Sequence, residues 1–220
     1  MKQVVLFGTG AIASIVHFYL THDSEFEVVA FTVDRTHLTA DTFLGLPVVP
    51  FDSVAEQYPP DRYGMFVAIG YSRMNTVREA RYHQAREAGY ELATYVSSKA
   101  TTWPGGVIGD NCFVMEEVIV HPFVKLGSDL IVWSGSHIGH GSVIGDHCFI
   151  SSRTAISGNV NVEPNCFFGT NSTVRDLVTI ARESVIGAGA VILKDTQERG
   201  VYVAPMARLI ATPSDRLPNL

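Results

Sequence analysis

Apolar residues recur along the second half of the chain with a period of six. From Ile108, every sixth residue is apolar: Ile108, Val114, Val120, Leu126, Val132, Ile138, Ile144, Ile150, Ile156, Val162, Phe168, Val174, Ile180, Ile186 and Ile192. Nothing is inserted or missing along this run. A helix repeats its core face every 3.6 residues and a strand every two, so a strict six fits neither alone. It predicts a coil of three short flat strands, each contributing one large inward side chain, with stacked coils covering one another. Two residues before these positions the side chain is mostly small: Cys112, Ser136, Ser142, Cys148, Thr154, Cys166, Ser172, Ser184 and Ala190. Small residues suit the tight corners of a triangular prism. We call the sixth-position residues the ruler. Gly109, Gly127, Gly139, Gly145, Gly169 and Gly187 directly follow ruler residues, where a corner needs either a positive φ or a close approach. Residues eighteen apart then lie one above the other.

The first hundred residues follow another pattern. Apolar runs at Gln3–Phe7, Glu27–Val33, Pro47–Val49, Phe66–Ile69 and Glu91–Val96 predict strands. Helical stretches fall between the first two, to about Tyr19, and over Arg73–Ala88. Alternating strands and helices imply a parallel α/β sheet. The boundaries expected are an N-terminal Rossmann-like half domain over 1–98, a β-helix over 99–194 and a C-terminal tail over 195–220, with Thr212–Leu220 mobile.

Charge and composition narrow the function. A formal charge of −6 argues against nucleic acid as partner. No apolar run approaches a membrane span, and MKQVVLFGTG reads as a strand entering a glycine turn, not a signal peptide, so the expected location is the cytoplasm. The three cysteines fall in the small corner column and are expected to be buried, reduced and uninvolved in chemistry. There is no Cys-x-x-Cys and no tight histidine–carboxylate spacing, so no metal site is expected.

Two groups of residues carry candidate chemistry. Gly8-Thr9-Gly10-Ala11-Ile12-Ala13, after the first strand, suits a phosphate seated on a helix N-terminus. A plain tight turn is the alternative. Asp34 and Arg35 end the second strand, where Asp34 can bind a ribose hydroxyl. Gly70, Ser72 and Arg73 form a second strand-to-helix turn, with Arg73 able to meet a phosphate. A domain of this length holds one mononucleotide half, which favours a nucleotide or nucleotide-sugar over NAD. In the β-helix, Ser134 to Gly141 (SGSHIGHG) is the densest polar cluster, with His137 and His140 as candidate bases. His121 and His147 read as structural, His147 in a solvated corner. His17, His22, His37 and His83 belong to no motif.

The whole chain resembles the bacterial hexapeptide-repeat acyltransferases of the sialic-acid O-acetyltransferase and nucleotide-sugar N-acetyltransferase type. The FGTG turn, the VAIG strand end, the hexads and the run VIGAGAVILKD followed by VYVAPMARLI carry the likeness. The resemblance implies a left-handed parallel β-helix, a homotrimer, acetyl-CoA held between neighbouring prisms, and a nucleotide-sugar on the small domain. Aligned on the hexads, it places the catalytic histidine on His140, with His137 the rival. It makes Gly158, eighteen residues on, an oxyanion donor with room for the acyl group. It suggests Gly169, Gly187, Ala188 and Lys194 as CoA contacts. It departs at Gly141, where many relatives carry an acid, and at Trp133, where many carry Asn, which suggests an altered acceptor pocket. The reading that follows is acetylation of a nucleotide-linked amino sugar. The alternatives are O-acetylation of a sugar of the sialic-acid type, or a non-catalytic nucleotide-sugar-binding trimer.

Overall fold

The computed structural model describes residues 2–209, 211 and 214–216. Of the segment expected to be mobile, 212, 213 and 217–220 lie outside the described residues.

The N-terminal domain is built on a five-stranded sheet. Its strands are β1 (Lys2–Phe7), β2 (Phe26–Val33), β3 (Thr42–Phe43), β4 (Leu46–Pro50) and β5 (Gly64–Val67). The order is β3-β4-β2-β1-β5, parallel except for the β3–β4 hairpin. That hairpin turns at Leu44 and Gly45, both at positive φ (51° and 80°) as a two-residue loop requires. Helices α1 (Ala11–His22), α2 (Val54–Gln57) and α3 (Thr76–Glu87) connect the strands. Helix α3 starts three residues later than its helix formers suggest. Arg73, Met74 and Asn75 are all left-handed (φ 49°, 53° and 64°), and this turn delivers Asn75 into the interior. The stretch Glu91–Val96 is not one strand. Leu92 bridges Met65 at the sheet edge, whereas Tyr95–Val96 already pairs with Phe113–Val114 in the β-helix.

The β-helix has three parallel faces, and every pairing among its internal strands joins residues eighteen apart, such as Ile119↔His137 and Val120↔Ile138. We call the faces A, B and C. Face A holds the strands at 95, 113, 131, 149, 167, 185 and 201. Face B holds those at 101, 119, 137, 155, 173 and 191, and face C those at 107, 125, 143, 161 and 179. The last strand, Val201–Tyr202, leaves the register and pairs Val185 with Val201. Ruler residues from Val114 onward are buried in one continuous column. The small residues two before them are buried as well, including Cys112, Cys148 and Cys166, which are free thiols. Burial pushes Cys112 up to about 12 and raises Cys148 well above an ordinary thiol, so neither is a nucleophile at neutral pH.

The corners separate two demands that the sequence reading left joined. Positive φ falls three residues before each ruler position, in an unbroken column from Gly105 to Gly189 that is mostly not glycine. The glycines after the ruler meet the other demand, close approach. A Cβ on Gly109 would sit 2.6 Å from the Gly127 carbonyl oxygen, and one on Gly145 2.8 Å from Pro164 N.

The N-terminal domain docks on face A. There the outward column is Tyr95, Phe113, Ile131, Phe149 and Phe167, which packs with Leu20, Phe66 and Ala68. At the C–A corner the stack Asn111, Asp129, His147 and Asn165 receives α3. Arg78 and Asp129 are fully buried there, with Nε and Oδ2 3.1 Å apart but not aligned as a hydrogen bond. The Arg78 guanidinium also donates to the carbonyls of Gly70, Asp129, His147 and Cys148 and to Asn75 Oδ1. Asn111 pairs its amide with both backbone groups of Val67.

Removing one member of a buried pair leaves the other charge uncompensated, at a cost of about 3–5 kcal/mol. Asp129→Ala is therefore expected to lower unfolding stability by about that amount in a denaturant titration. A second seam contact sets an acid limb. Ser98, Tyr95 and Ser97 hydrogen-bond Asp23 and hold its carboxyl well below the usual range. This stabilisation is present above the unfolded aspartate value of about 4 and is lost as pH falls through the lower folded value. Asp23→Asn should flatten the acid side of a stability–pH profile without changing its neutral plateau's shape.

Candidate functional site

The glycine turn lies at the carboxyl end of β1, next to β5. The chain leaves β1 for β2 on one side and reaches β5 on the other, so the turns after β1 and β5 flank a topological switch point. Gly8 has φ 120°, and a Cβ there would lie 2.9 Å from the Ala68 carbonyl oxygen, so the chain itself requires this glycine. Gly10 is different. It is the N-cap of α1 with φ −94°, and a Cβ on it would meet nothing within 4 Å. The free N-terminus of α1 and the open space over Gly10 and Ala11 suit a close-approaching anion. A cavity of about 180 Å³ beside this turn is lined by Thr9, His37, Thr39, Ala40, Thr42, Phe43 and Val48. A larger one, about 730 Å³, opens at the amino ends of β1 and β5 around Gln3, Arg62 and Glu91, away from the switch point.

The charged candidates nearby are partly committed. Asp34 accepts from Arg81 at 2.6 Å, and Arg35 is held by Asp52 through two bonds of 2.9 and 2.8 Å. Ser72 and Arg73 are exposed, and Gly70 gives its carbonyl to Arg78. Tyr71, next to Gly70, packs edge-on against Phe149 at 4.9 Å and tilted against Phe167 at 5.0 Å on face A. Trp133 stands at the A–B corner, 6.3 Å from Phe149, and its indole N–H is buried without an acceptor among the described residues.

The β-helix candidates divide between two corners. Counting by eighteen, Pro122, His140, Gly158, Asp176 and Lys194 share the B–C corner. Trp133, Gly169 and Gly187 share the A–B corner, with Ala188 beside them. Gly169 is buried against Ala188, and a Cβ on Gly187 would lie 2.9 Å from the Tyr202 carbonyl oxygen, so coil stacking alone accounts for both glycines.

His140 is exposed, and its ring lies on Gly158. A Cβ at 158 would sit 2.5 Å from His140 Cε1 and 2.7 Å from Nε2. The glycine therefore makes room for the imidazole itself, where the sequence suggested room for an acyl group. Gly158 N–H donates to no group among the described residues, although Asp110 and Ser128, at equivalent positions, donate to side chains. Gly141 holds the left-handed corner (φ 68°), and a Cβ there would collide with the Asn159 side chain. No carboxylate among the described residues hydrogen-bonds His140. Its ring is oriented by packing on Gly158, and its backbone carbonyl accepts from Asn159 N–H at 2.8 Å. His137, half-buried on face B, lies 4.6 Å from His121 by ring centroids, and burial with that neighbour lowers its pKa.

One expectation is corrected. His147 is not solvated: it is 6% exposed, with Nδ1 2.8 Å from Asp129 Oδ2. The fold also brings together a group that has no counterpart in sequence spacing: Glu79, His83 and His147 converge with ligand atoms within 4.8 Å of one another. No spacing signal reveals that group, since His147 comes from a different domain.

Known proteins share this architecture. Residues 105–140 match the bacterial transferase hexapeptide (six repeats), and 159–194 match the hexapeptide repeat of succinyl-transferase. The acetyltransferase domain of PglB from Neisseria gonorrhoeae FA1090 is 25% identical, with 91% of this chain and 96% of that one covered and a TM-score of 0.80. PerB from Caulobacter crescentus, solved in complex with CoA and GDP-perosamine, is 26% identical over 91% and 93%, TM-score 0.80. WeeI from Acinetobacter baumannii AYE, 19% identical over 96% and 100% with a TM-score of 0.61, shares the fold. The chain thus carries hexapeptide repeats over 105–140 and 159–194 and shares the left-handed β-helix fold of the acetyltransferases it is similar to. It is an enzyme of the sugar acyltransferase kind, and it shares with the PglB domain and PerB an α/β domain ahead of the prism.

Gly158→Ala tests the packing of His140. The methyl group is expected to displace the ring and lower turnover at least tenfold, while circular dichroism and the thermal midpoint stay near those of the parent.

Proposed function

We propose that the protein acetylates the amino group of a nucleotide-linked amino sugar, using acetyl-CoA as donor. The observation that carries this reading is the exposed His140 imidazole lying on Gly158, beside an uncommitted backbone N–H. The PerB complex, with CoA and GDP-perosamine, supports the donor and the acceptor class. In the reaction the sugar amine attacks the thioester carbon. His140 removes the amine proton, and the Gly158 N–H bonds the oxyanion as charge develops. The C–S bond then breaks, CoA thiolate leaves, and the imidazolium can return the proton to it. The phosphates of the acceptor sit over Gly8, Gly10 and Ala11, with Arg73 close to the same turn. Lys194, on the His140 edge, faces CoA phosphates. No metal enters this chemistry.

The geometry supports a site built from more than one copy. The N-terminal domain covers face A, and the B–C corner carrying His140 is the edge opposite that face. A sugar held at the glycine turn therefore meets the histidine of a neighbouring copy. Around that edge, Val107, Ile119, Phe123, Val143, Leu177 and Val191 are exposed, an apolar surface suited to a trimer contact. In such a trimer the A–B corner of one prism, with Gly169, Gly187 and Ala188, and the B–C corner of the next form the two walls of the donor cleft.

His140→Ala is expected to lower CoA release by about 10²–10⁴-fold, the usual worth of a general base. Turnover within threefold of the parent would overturn the assignment. A panel of nucleotide-amino sugars, nucleotide-sugars lacking the amine and free sialic-acid-type sugars is expected to show release only with the first. Release with free hydroxyl sugars would establish O-acetylation instead, and no acetyl-CoA binding by calorimetry would mark a non-catalytic trimer. Activity should fall as pH drops and the acceptor amine becomes protonated.

A further inference from the structure

The group at the C–A corner has no part in the acyl transfer described above. Glu79 and His83 stand one turn apart on α3, so both side chains leave the same face of the helix. His147 rises from the prism to meet them. Its Nδ1 is 2.8 Å from Asp129 Oδ2, and its Nε2 faces Glu79 Oε1 at 3.8 Å, beyond hydrogen-bond range. A carboxylate on one ring nitrogen fixes the tautomer that presents a lone pair at the other. This is the outer-shell arrangement commonly found behind metal-bound histidines. Glu79 is oriented in the same way: its Oε2 accepts from Asn165 Nδ2 at 2.9 Å, which leaves Oε1 turned towards the histidines. His83 is exposed, with its ring 5.5 Å from that of His147.

We propose that Glu79, His83 and His147 bind a divalent transition-metal ion of the zinc type, which pins helix α3 to the corner of the prism. Two imidazoles and one carboxylate are a borderline donor set that favours zinc over magnesium or calcium. Tetrahedral zinc at bonds of about 2.0–2.1 Å sets ligand atoms roughly 3.4 Å apart. The His147–Glu79 pair at 3.8 Å is already close to this, and rotation of the exposed His83 side chain closes the remainder. The fourth position opens to solvent on the His83 side. Asp129 then serves two cations, the Arg78 guanidinium and, through His147, the metal.

The test uses full-length, tag-free protein stripped with a chelator and titrated with Co²⁺ and then Zn²⁺. One equivalent of Co²⁺ is expected to give the visible absorption of a tetrahedral site, and Zn²⁺ should abolish it. Zn²⁺ should also raise the thermal midpoint. His83→Ala, at an exposed residue with no hydrogen bond to lose among the described residues, should weaken binding at least tenfold and remove the midpoint shift. Glu79→Gln, which retains an acceptor for Asn165, should weaken binding as well. His121→Ala, which disrupts the other histidine pair, should leave binding unchanged. Absence of stoichiometric binding, equal affinity in His83→Ala, or loss of binding in His121→Ala would overturn the proposal. The first of these would leave the cluster as a simple hydrogen-bonded seam.

Discussion

The buried contact of Arg78 with Asp129 is the constraint from which the relation of the two domains follows. A guanidinium without water needs an acceptor at nearly every N–H, and a carboxylate needs a cation or donors. Here those needs are met by groups from both domains: the Gly70 carbonyl and Asn75 on one side, and Asp129 with the His147 and Cys148 carbonyls on the other. Sliding one domain over the other by a coil would leave several of them unpaired at once. The contact therefore specifies register as much as it contributes stability. The left-handed run Arg73–Asn75 is understandable in the same terms, as strained backbone that places Asn75 within reach of Arg78 and of the Cys166 carbonyl.

The β-helix tolerates this insertion because its corners are two-tiered. One tier, the buried small residues, closes each turn from inside. The other, the positive-φ column, aims its side chains outward or along the corner. Where that column reads Asn111, Asp129, His147 and Asn165 it forms a polar ladder that α3 can use. Where it reads Phe123, Gly141, Asn159 and Leu177 it forms an edge that is apolar and bare around His140. One backbone geometry thus serves a domain seam at one corner and a reactive edge at another.

Much of this was legible in the chain. The six-residue ruler implied the prism, and counting by eighteen set His140 over Gly158 and the cysteines out of the chemistry. The same counting, applied to the residue before each ruler position, would have revealed Tyr95, Phe113, Ile131, Phe149 and Phe167 as an outward apolar column. No solvated face carries such a column, so the docking face is legible in the sequence. Arg78 and Glu79 were not readable. On a helix rich in charge they look solvated, and only the partner surface, far along the chain, shows otherwise. His83 and His147 are sixty-four residues apart in different domains, and no local spacing joins them. Among the chemical candidates, counting by eighteen separates Trp133, Gly169 and Gly187 at the A–B corner from His140 at the B–C corner.

Asp129 and His147 bound a single circuit of the prism, and His140 lies on that circuit. The coil that anchors the small domain is therefore the same coil that carries the reactive edge. Beyond Asn165 the remaining turns hold no bond to the N-terminal domain among the described residues, apart from the Cys166 carbonyl and the Phe167 ring. Lineages could lengthen or shorten the prism there by whole coils, altering how far the donor cleft extends, without disturbing the domain seam. Inserting a coil between Asp129 and His147 would separate attachment from reactivity, so this stretch is the part of the repeat array least free to vary in number.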